Sequence, residues 1–181
     1  MRNAFFCACF LCFAALPAVA QEAPKYELFF GYGLVRVEGG QANLNGWHAS
    51  FASNLNDWFG VAAELSGQYG TQTLAAGASQ VKTNVDFHSL GFGPRLTYRK
   101  NERFSPFAHA LFGVARGNWR GPAAVAGEES SFGSAIGGGI DTKLRKNLGI
   151  RIIQAEYVRT HFGETSAENN FRIATGLLFT F

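Results

Sequence analysis

Residues 171–181 read Phe171-Arg172-Ile173-Ala174-Thr175-Gly176-Leu177-Leu178-Phe179-Thr180-Phe181. Phe171, Ile173, Thr175, Leu177, Phe179 and Phe181 share one parity; Arg172, Ala174, Gly176 and Thr180 share the other. Alternation with a period of two is the signature of a strand, because successive side chains point to opposite faces. The contents of the faces then decide what the strand is for. In a water-soluble sandwich the large residues point inward, and the outer face is rich in Lys, Glu, Thr and Ser. Here the second face is small and carries a single charge. That suits a crowded interior, with the large residues turned outward to lipid.

The pattern recurs along the chain. In 59–69, Phe59, Val61, Ala63, Leu65 and Tyr69 oppose Gly60, Ala62, Glu64, Ser66 and Gln68. In 89–98, Leu90, Phe92, Pro94, Leu96 and Tyr98 oppose Ser89, Gly91, Gly93, Arg95 and Thr97. Helical periodicity is nearly absent. We expect eight strands, near 26–37, 44–55, 58–69, 84–98, 105–117, 131–142, 148–160 and 170–181. Each is long enough for the roughly 9–11 residues with which a tilted strand crosses a bilayer. Eight strands close on a lumen just wide enough for side chains to fill it. The fold class expected is all-β, an eight-stranded antiparallel up-and-down transmembrane β-barrel.

The connections follow the same plan. Those near 38–43, 70–83, 118–130 and 161–169 are mostly long and hold Gly, Ser, Glu and Asn, whereas 56–57, 99–104 and 143–147 are short. Outer-membrane barrels alternate long external loops with short periplasmic turns, and carry an aromatic girdle at each interface. Trp58, Phe59, Tyr98, Phe104 and Phe179 are placed near the periplasmic rim, and Trp47, Tyr69, Phe87, Trp119, Phe132 and Phe171 near the outer one.

The composition agrees. Of 181 residues, 47% are hydrophobic and 16% charged, with 22 Gly and 18 Phe. So many aromatics argue against disorder. A net charge of +3 is too small to suggest nucleic acid. After the first 20 residues no apolar run approaches the roughly 18 that a spanning helix needs. Those first 20 carry Arg2, an apolar stretch over 4–16 and Pro17-Ala18-Val19-Ala20, the layout of a cleavable signal peptide. Cleavage after Ala20 gives 1–20 as signal peptide and 21–181 as a single barrel domain. Leu11 before Cys12 does not suit a lipoprotein site. Cys7, Cys9 and Cys12 all leave with the signal, so the exported chain has neither disulfides nor thiol chemistry.

The phenylalanine at position 181, with alternate apolar residues before it, resembles the β-signal read by the outer-membrane assembly machinery. Gly93-Pro94-Arg95-Leu96-Thr97-Tyr98, Gly137-Gly138-Gly139-Ile140-Asp141 and Gln154-Ala155-Glu156-Tyr157 resemble a bacterial subgroup of the small outer-membrane β-barrel family. The chain from about 25 to 181 is similar to the membrane domain of outer membrane protein A. The resemblance implies a porin-like cell-envelope protein of a Gram-negative bacterium. Its expected partners are outer-membrane lipids, lipopolysaccharide, periplasmic chaperones and the barrel assembly machinery. That machinery would recognise Phe171, Ile173, Leu177, Phe179 and Phe181. The family is functionally mixed, so the resemblance speaks to fold more than to activity.

Five charges fall on the small-residue faces: Glu64, Arg95, Asp141, Glu156 and Arg172. A Lys or Arg facing lipid at midplane costs about 2–4 kcal/mol. Charges turned inward must pair, or their desolvation is not recovered. A salt-bridged plug is therefore expected, with a gated pore or proton path as the alternative. Arg151 and Glu156 have opposite parity on one strand. A β-bulge between them would bring both inside.

His48-Ala49-Ser50 with Glu64 one hairpin away supplies the parts of a serine hydrolase, and lipid A deacylase barrels carry a His-x-Ser motif. But here all three residues face the lumen, Phe51 rather than Asn follows, and the motif is on strand two rather than late in the chain. His88-Ser89 has the wrong spacing for one face, and His109 and His161 lack metal-ligand spacing. Gly137-Gly138-Gly139 has no following Lys and helix, so it is not a phosphate loop. The basic turns, Arg99-Lys100 with Arg103 and Lys143 with Arg145-Lys146, can meet anionic headgroups. Glu128, Glu129, Glu164 and Glu168 can bridge lipopolysaccharide through divalent cations. The expectation is a monomeric, non-enzymatic barrel without cofactor or metal that acts structurally or through its external loops. A narrow pore and a lipid-modifying enzyme are the two alternatives.

Overall fold

A computed structural model describes residues 24–37, 43–76, 79–101, 103–121, 127–162 and 166–181. The segments 1–20 and 38–42 read above lie outside the described residues. The strands are β1 (Tyr26–Val37), β2 (Asn43–Asn54), β3 (Phe59–Ala76), β4 (Ser79–Thr97), β5 (Phe104–Arg120), β6 (Gly127–Arg145), β7 (Leu148–Phe162) and β8 (Ser166–Thr180). Each pairs antiparallel with its neighbour in sequence, and β1 pairs with β8, so the eight strands form a closed barrel. Closure leaves no open edge, which is what a strand assembly in hydrocarbon requires. The ring is completed beside β1 by Tyr26 N donating to Phe181 O at 3.1 Å and Phe181 N donating to Tyr26 O at 2.9 Å. We call this the terminal end, and the end carrying the β1–β2, β3–β4, β5–β6 and β7–β8 hairpins the far end.

At the terminal end two turns use the same device. Asn56 Oδ1 accepts from Trp58 N and Phe59 N at 3.0 and 2.7 Å, and Asn101 Oδ1 accepts from Arg103 N and Phe104 N at 2.9 and 3.1 Å. An Asn side chain that caps the backbone two residues on holds a tight turn. Three far-end connections, β3–β4, β5–β6 and β7–β8, are shorter than the sequence suggests. Most of 70–83 is hairpin, with pairing from Gly70↔Val85 to Ala76↔Ser79. Likewise β5 and β6 pair out to Trp119↔Gly127, and β7 and β8 to Phe162↔Ser166. Past the lipid-facing belt neither face needs to be apolar. The hydrogen-bonded ladder therefore continues where the alternation stops.

The wall sorts its side chains by parity. Phe30, Tyr32, Phe92, Val114, Phe132, Ile136 and Tyr157 are exposed on its outer surface. The inner surface holds small residues, polar groups and three aromatics that sequence contents alone place elsewhere or pass over. Phe29, Phe87 and Phe107 are buried inside. Phe87 packs with Val35, Leu44, Val85 and Ala115, and Trp119 rests against this cluster, so both leave the outer girdle expected for them. The reason is parity: Phe87 shares a face of β4 with Arg95, and Trp119 shares one of β5 with Phe107. Trp47, Tyr69, Phe132 and Phe171 do face outward near the far end.

Strand β7 carries the bulge that its charges demand. Ile152 and Ile153 are both exposed, while Arg151 and Gln154 on either side are buried. The register against β8 shifts between Arg151 and Gln154, and that against β6 between Ile140 and Asp141. One extra residue switches the faces, and Arg151 and Glu156 both enter the lumen. Room for them comes from β6. A Cβ on Gly137 would lie 2.7 Å from Glu156 Cγ, and one on Gly139 would lie 2.9 Å from the Phe107 ring and 2.3 Å from Ile153 O. Gly139→Val is therefore expected to cost about 1–3 kcal/mol through overpacking. A lower urea midpoint for the heat-modifiable, folded gel band checks this; an unchanged midpoint contradicts it.

Candidate functional site

The lumen is filled by one ionic network. At the terminal end Glu27 accepts from Arg99 Nη2 at 2.6 Å and pairs with Arg95 Nη1 at 2.9 Å. Arg95 Nη2 reaches Asp141 Oδ2 at 2.9 Å. Asp141 also accepts from Arg151, Nε to Oδ1 at 2.7 Å and Nη2 to Oδ2 at 3.1 Å, a forked pair. Arg151 donates onward to Gln154 and, at 3.3 Å, to Ser50 Oγ. Gln154 Nε2 donates to Glu64 Oε1 at 2.9 Å. Glu64 Oε2 meets Arg172 Nη2 at 3.1 Å and His48 Nε2 at 3.0 Å. Arg172 Nε meets Glu156 Oε2 at 2.6 Å, and His109 Nε2 meets Glu156 Oε1 at 3.0 Å. Arg172 Nη1 also donates to Ser66 Oγ and Ser89 Oγ at 3.0 and 3.2 Å.

Aromatic rings separate and steady the cations. The guanidinium carbons of Arg95 and Arg151 lie 4.2 and 4.3 Å from the Phe107 ring centroid, and Arg151 lies 4.4 Å from that of Phe29. Planar guanidinium over an aromatic face is favourable, more so when desolvated. Before His48 and His109 are counted, the charges balance among the described residues. Carboxylates Glu27, Glu64, Asp141 and Glu156 face guanidiniums Arg95, Arg99, Arg151 and Arg172. A low-dielectric lumen accepts charge on this condition, since each unpaired ion would cost several kcal/mol.

All five interior charges named from the sequence, Glu64, Arg95, Asp141, Glu156 and Arg172, are buried and belong to this network. Glu27, Arg99, His109 and Gln154 are members that the sequence reading did not place in the lumen. Parity was the available signal for Glu27, which shares the inner face of β1 with Phe29 and Val35. On β8, Phe171, Ile173 and Leu177 face outward, Phe181 just beyond it is exposed, and Phe179 is half-buried.

The hydrolase-like trio is present but not assembled as a relay. His48 is bonded to Glu64, while Ser50 Oγ accepts from Arg151. All three are buried inside the wall. Ligand atoms of His48, Glu64 and Glu156 lie within 4.8 Å of one another, a spacing that could suit a metal ion. Arg172 already bridges both carboxylates, so the positive charge such a cluster calls for is supplied by the chain. Beside Glu64 and Arg172 remains a cavity of about 30 Å³, edged by Ser89, Gly91, Gly133 and Thr160. That holds one or two waters.

Residues 5–179 match the family described as the outer membrane protein beta-barrel domain. The chain belongs to that family. Among solved structures it is similar to Ail, the attachment invasion locus protein of Yersinia pestis, at 18% identity and a TM-score of 0.59, over 88% of this chain and 99% of Ail. Ail has also been crystallised with the heparin analogue sucrose octasulfate. Neisserial surface protein A is similar at 14% identity and a TM-score of 0.59, over 86% of this chain and 96% of that one. At such identities the likeness is one of fold. No curated protein sequence matches the chain. The family is one of bacterial outer-membrane proteins, so this barrel's exposed apolar wall faces lipid.

Arg172 bridges two buried carboxylates, Glu64 and Glu156. Arg172→Met leaves Glu64 and Glu156 buried without their shared cation, and we expect a loss of about 3–5 kcal/mol. Adding Glu64→Gln and Glu156→Gln should restore most of it. Urea unfolding of the three proteins measures both steps; equal stability of wild type and Arg172→Met would contradict the pairing.

Proposed function

We propose that this outer-membrane barrel is a plugged, non-enzymatic scaffold that presents its far-end hairpins at the cell surface. The observation that carries the reading is the filled lumen. A chain of ion pairs, joined between Arg151 and Glu64 by the Gln154 amide, runs from Arg99 to His109, and a cavity beside Glu64 and Arg172 measures about 30 Å³. No ion larger than a proton passes such a packing without breaking several buried pairs. The terminal end lies in the periplasm, the chain having been exported by the signal peptide 1–20 and cut after Ala20.

Surface interaction is supported by what the far end exposes. Lys82, Arg116, Arg120 and Arg159 face outward there, with Arg116 paired to Glu128 and Arg120 to Asp86. These pairs are exposed and worth little, so an incoming ligand can exchange them. Lipopolysaccharide phosphates are one such ligand, taking the places of Glu128 on Arg116 and Asp86 on Arg120. A sulfated polyanion of the kind bound to Ail is chemically similar. Variable function on a fixed scaffold sits in such exposed segments.

The outward residues Phe171, Ile173, Leu177, Phe179 and Phe181 serve as the assembly signal, read before β8 closes on β1. Phe179→Ala with Phe181→Ala should lower outer-membrane levels in cells several-fold, while purified protein still refolds into detergent. Equal losses in both settings would assign these residues to stability instead.

The plug is tested by single-channel recording on refolded protein in planar bilayers. We expect no discrete openings for the wild type. Regular openings would instead support a narrow pore. A lipid A mass shift on expression, abolished by Ser50→Ala, would replace the scaffold with an enzyme.

A further inference from the structure

The terminal rim is not evenly charged. Lys100 and Arg103 lie in the β4–β5 connection, and Lys143, Arg145 and Lys146 lie at the end of β6 and in the turn after it. These two segments adjoin, since Lys143 N donates to Arg103 O at 3.1 Å. All five side chains are exposed. Among the described residues, the acids of this end are turned elsewhere. Glu27 and Asp141 point into the lumen and are paired there, and Asp57 lies on the β2–β3 turn, where its carbonyl accepts from Arg99 at 2.7 Å. Glu102 lies outside the described residues. Immediately above the five cations the outer wall is apolar, with Leu96, Tyr98, Phe104, Ile140 and Leu144 exposed.

We infer that this arc is a docking surface for acidic phospholipid headgroups, of the phosphatidylglycerol type, in the leaflet at the terminal end. The inference rests on the barrel spanning a bilayer. Apolar residues then hold the acyl chains, and the cations stand at the level where phosphates lie. A solvated basic turn needs no apolar neighbour, whereas this arc borders the lipid-facing wall directly. Charge complementarity selects the acidic lipid over a zwitterionic one, whose phosphate carries its own cation. The arc spans two hairpins joined by a backbone hydrogen bond, so a bound headgroup would also tie β4–β5 to β6–β7.

Spin-labelled lipids test this directly. The full chain is refolded into phosphatidylcholine bilayers containing a trace of spin-labelled phosphatidylglycerol or phosphatidylcholine, and the motionally restricted fraction of each label is compared. We expect restricted phosphatidylglycerol to be favoured by about fivefold, the factor one Lys or Arg near a bilayer surface contributes. The preference should vanish in 1 M salt, where charges are screened within about 3 Å. The variant Lys100→Gln, Arg103→Gln, Lys143→Gln, Arg145→Gln, Lys146→Gln should lose it. The far-end variant Lys82→Gln, Arg159→Gln should keep it. Heat-modifiable migration reports that each variant is folded. Equal restriction of the two lipids by the wild type, or a preference that survives the fivefold substitution, overturns the inference. So does a preference lost only in the far-end variant. If neither lipid shows a restricted component, the bilayer-spanning reading falls as well, which distinguishes the two failures.

Discussion

The ladder between β1 and β8 is the contact on which everything else depends. It runs from Glu27↔Thr180 to Val37↔Asn170 and turns an eight-stranded ribbon into a wall without edges. In hydrocarbon an unpaired backbone group costs several kcal/mol, so an open sheet of this length would not be tolerated. Closure also creates an inside. Once β8 has met β1, Arg172 and Glu27 can no longer reach bulk water through the seam, and every inward polar group must find its partner within the lumen.

The lumen meets that demand by balancing charge over long sequence separations. Arg172 joins Glu64, which is 108 residues away, to Glu156 on the adjacent strand. Arg95 joins Glu27 to Asp141 across the barrel. The neutral groups have a part in this too. Ser50, Ser66, Ser89 and Gln154 accept or donate the bonds that the ions leave over, so that the guanidinium groups of Arg151 and Arg172 find acceptors beyond their carboxylates. Phe107 fits between Arg95 and Arg151, and the side-chain-free Gly139 lies beneath its ring. The glycines of β6 are therefore a packing requirement of the charges opposite.

Strand number, strand faces and five of the interior charges were legible because they depend on local alternation. Glu64 and Arg95 sit among small residues of one parity, and no partner need be known to place them. The misplaced residues show where that method stops. Phe87 and Trp119 look like girdle aromatics by type, yet their parity turns them inward, where they pack with Val35, Leu44, Val85 and Ala115. The stretch 70–83 looks like a loop by composition, but its backbone pairs nearly to the tip. Arg151 conflicts with Glu156 in any regular strand, and that conflict is itself the sign of the bulge. Its position, at Ile152 and Ile153, came only from the register on both sides.

By itself the sequence determined which side of the wall each regular strand residue would occupy, because a period of two is a property of the chain alone. It thereby determined an apolar exterior, a small and sparsely charged interior, and an outer-membrane barrel. Only the tertiary structure decided which charge meets which. Partners across a barrel are set by the stagger of all eight strands together, and a shift of one residue in any of them would turn that strand's charges to the other face. That is why the partners of His109 and Gln154 emerged only when the strands were aligned. It is also why the filled lumen, on which the scaffold reading rests, belongs to the fold rather than to any one strand.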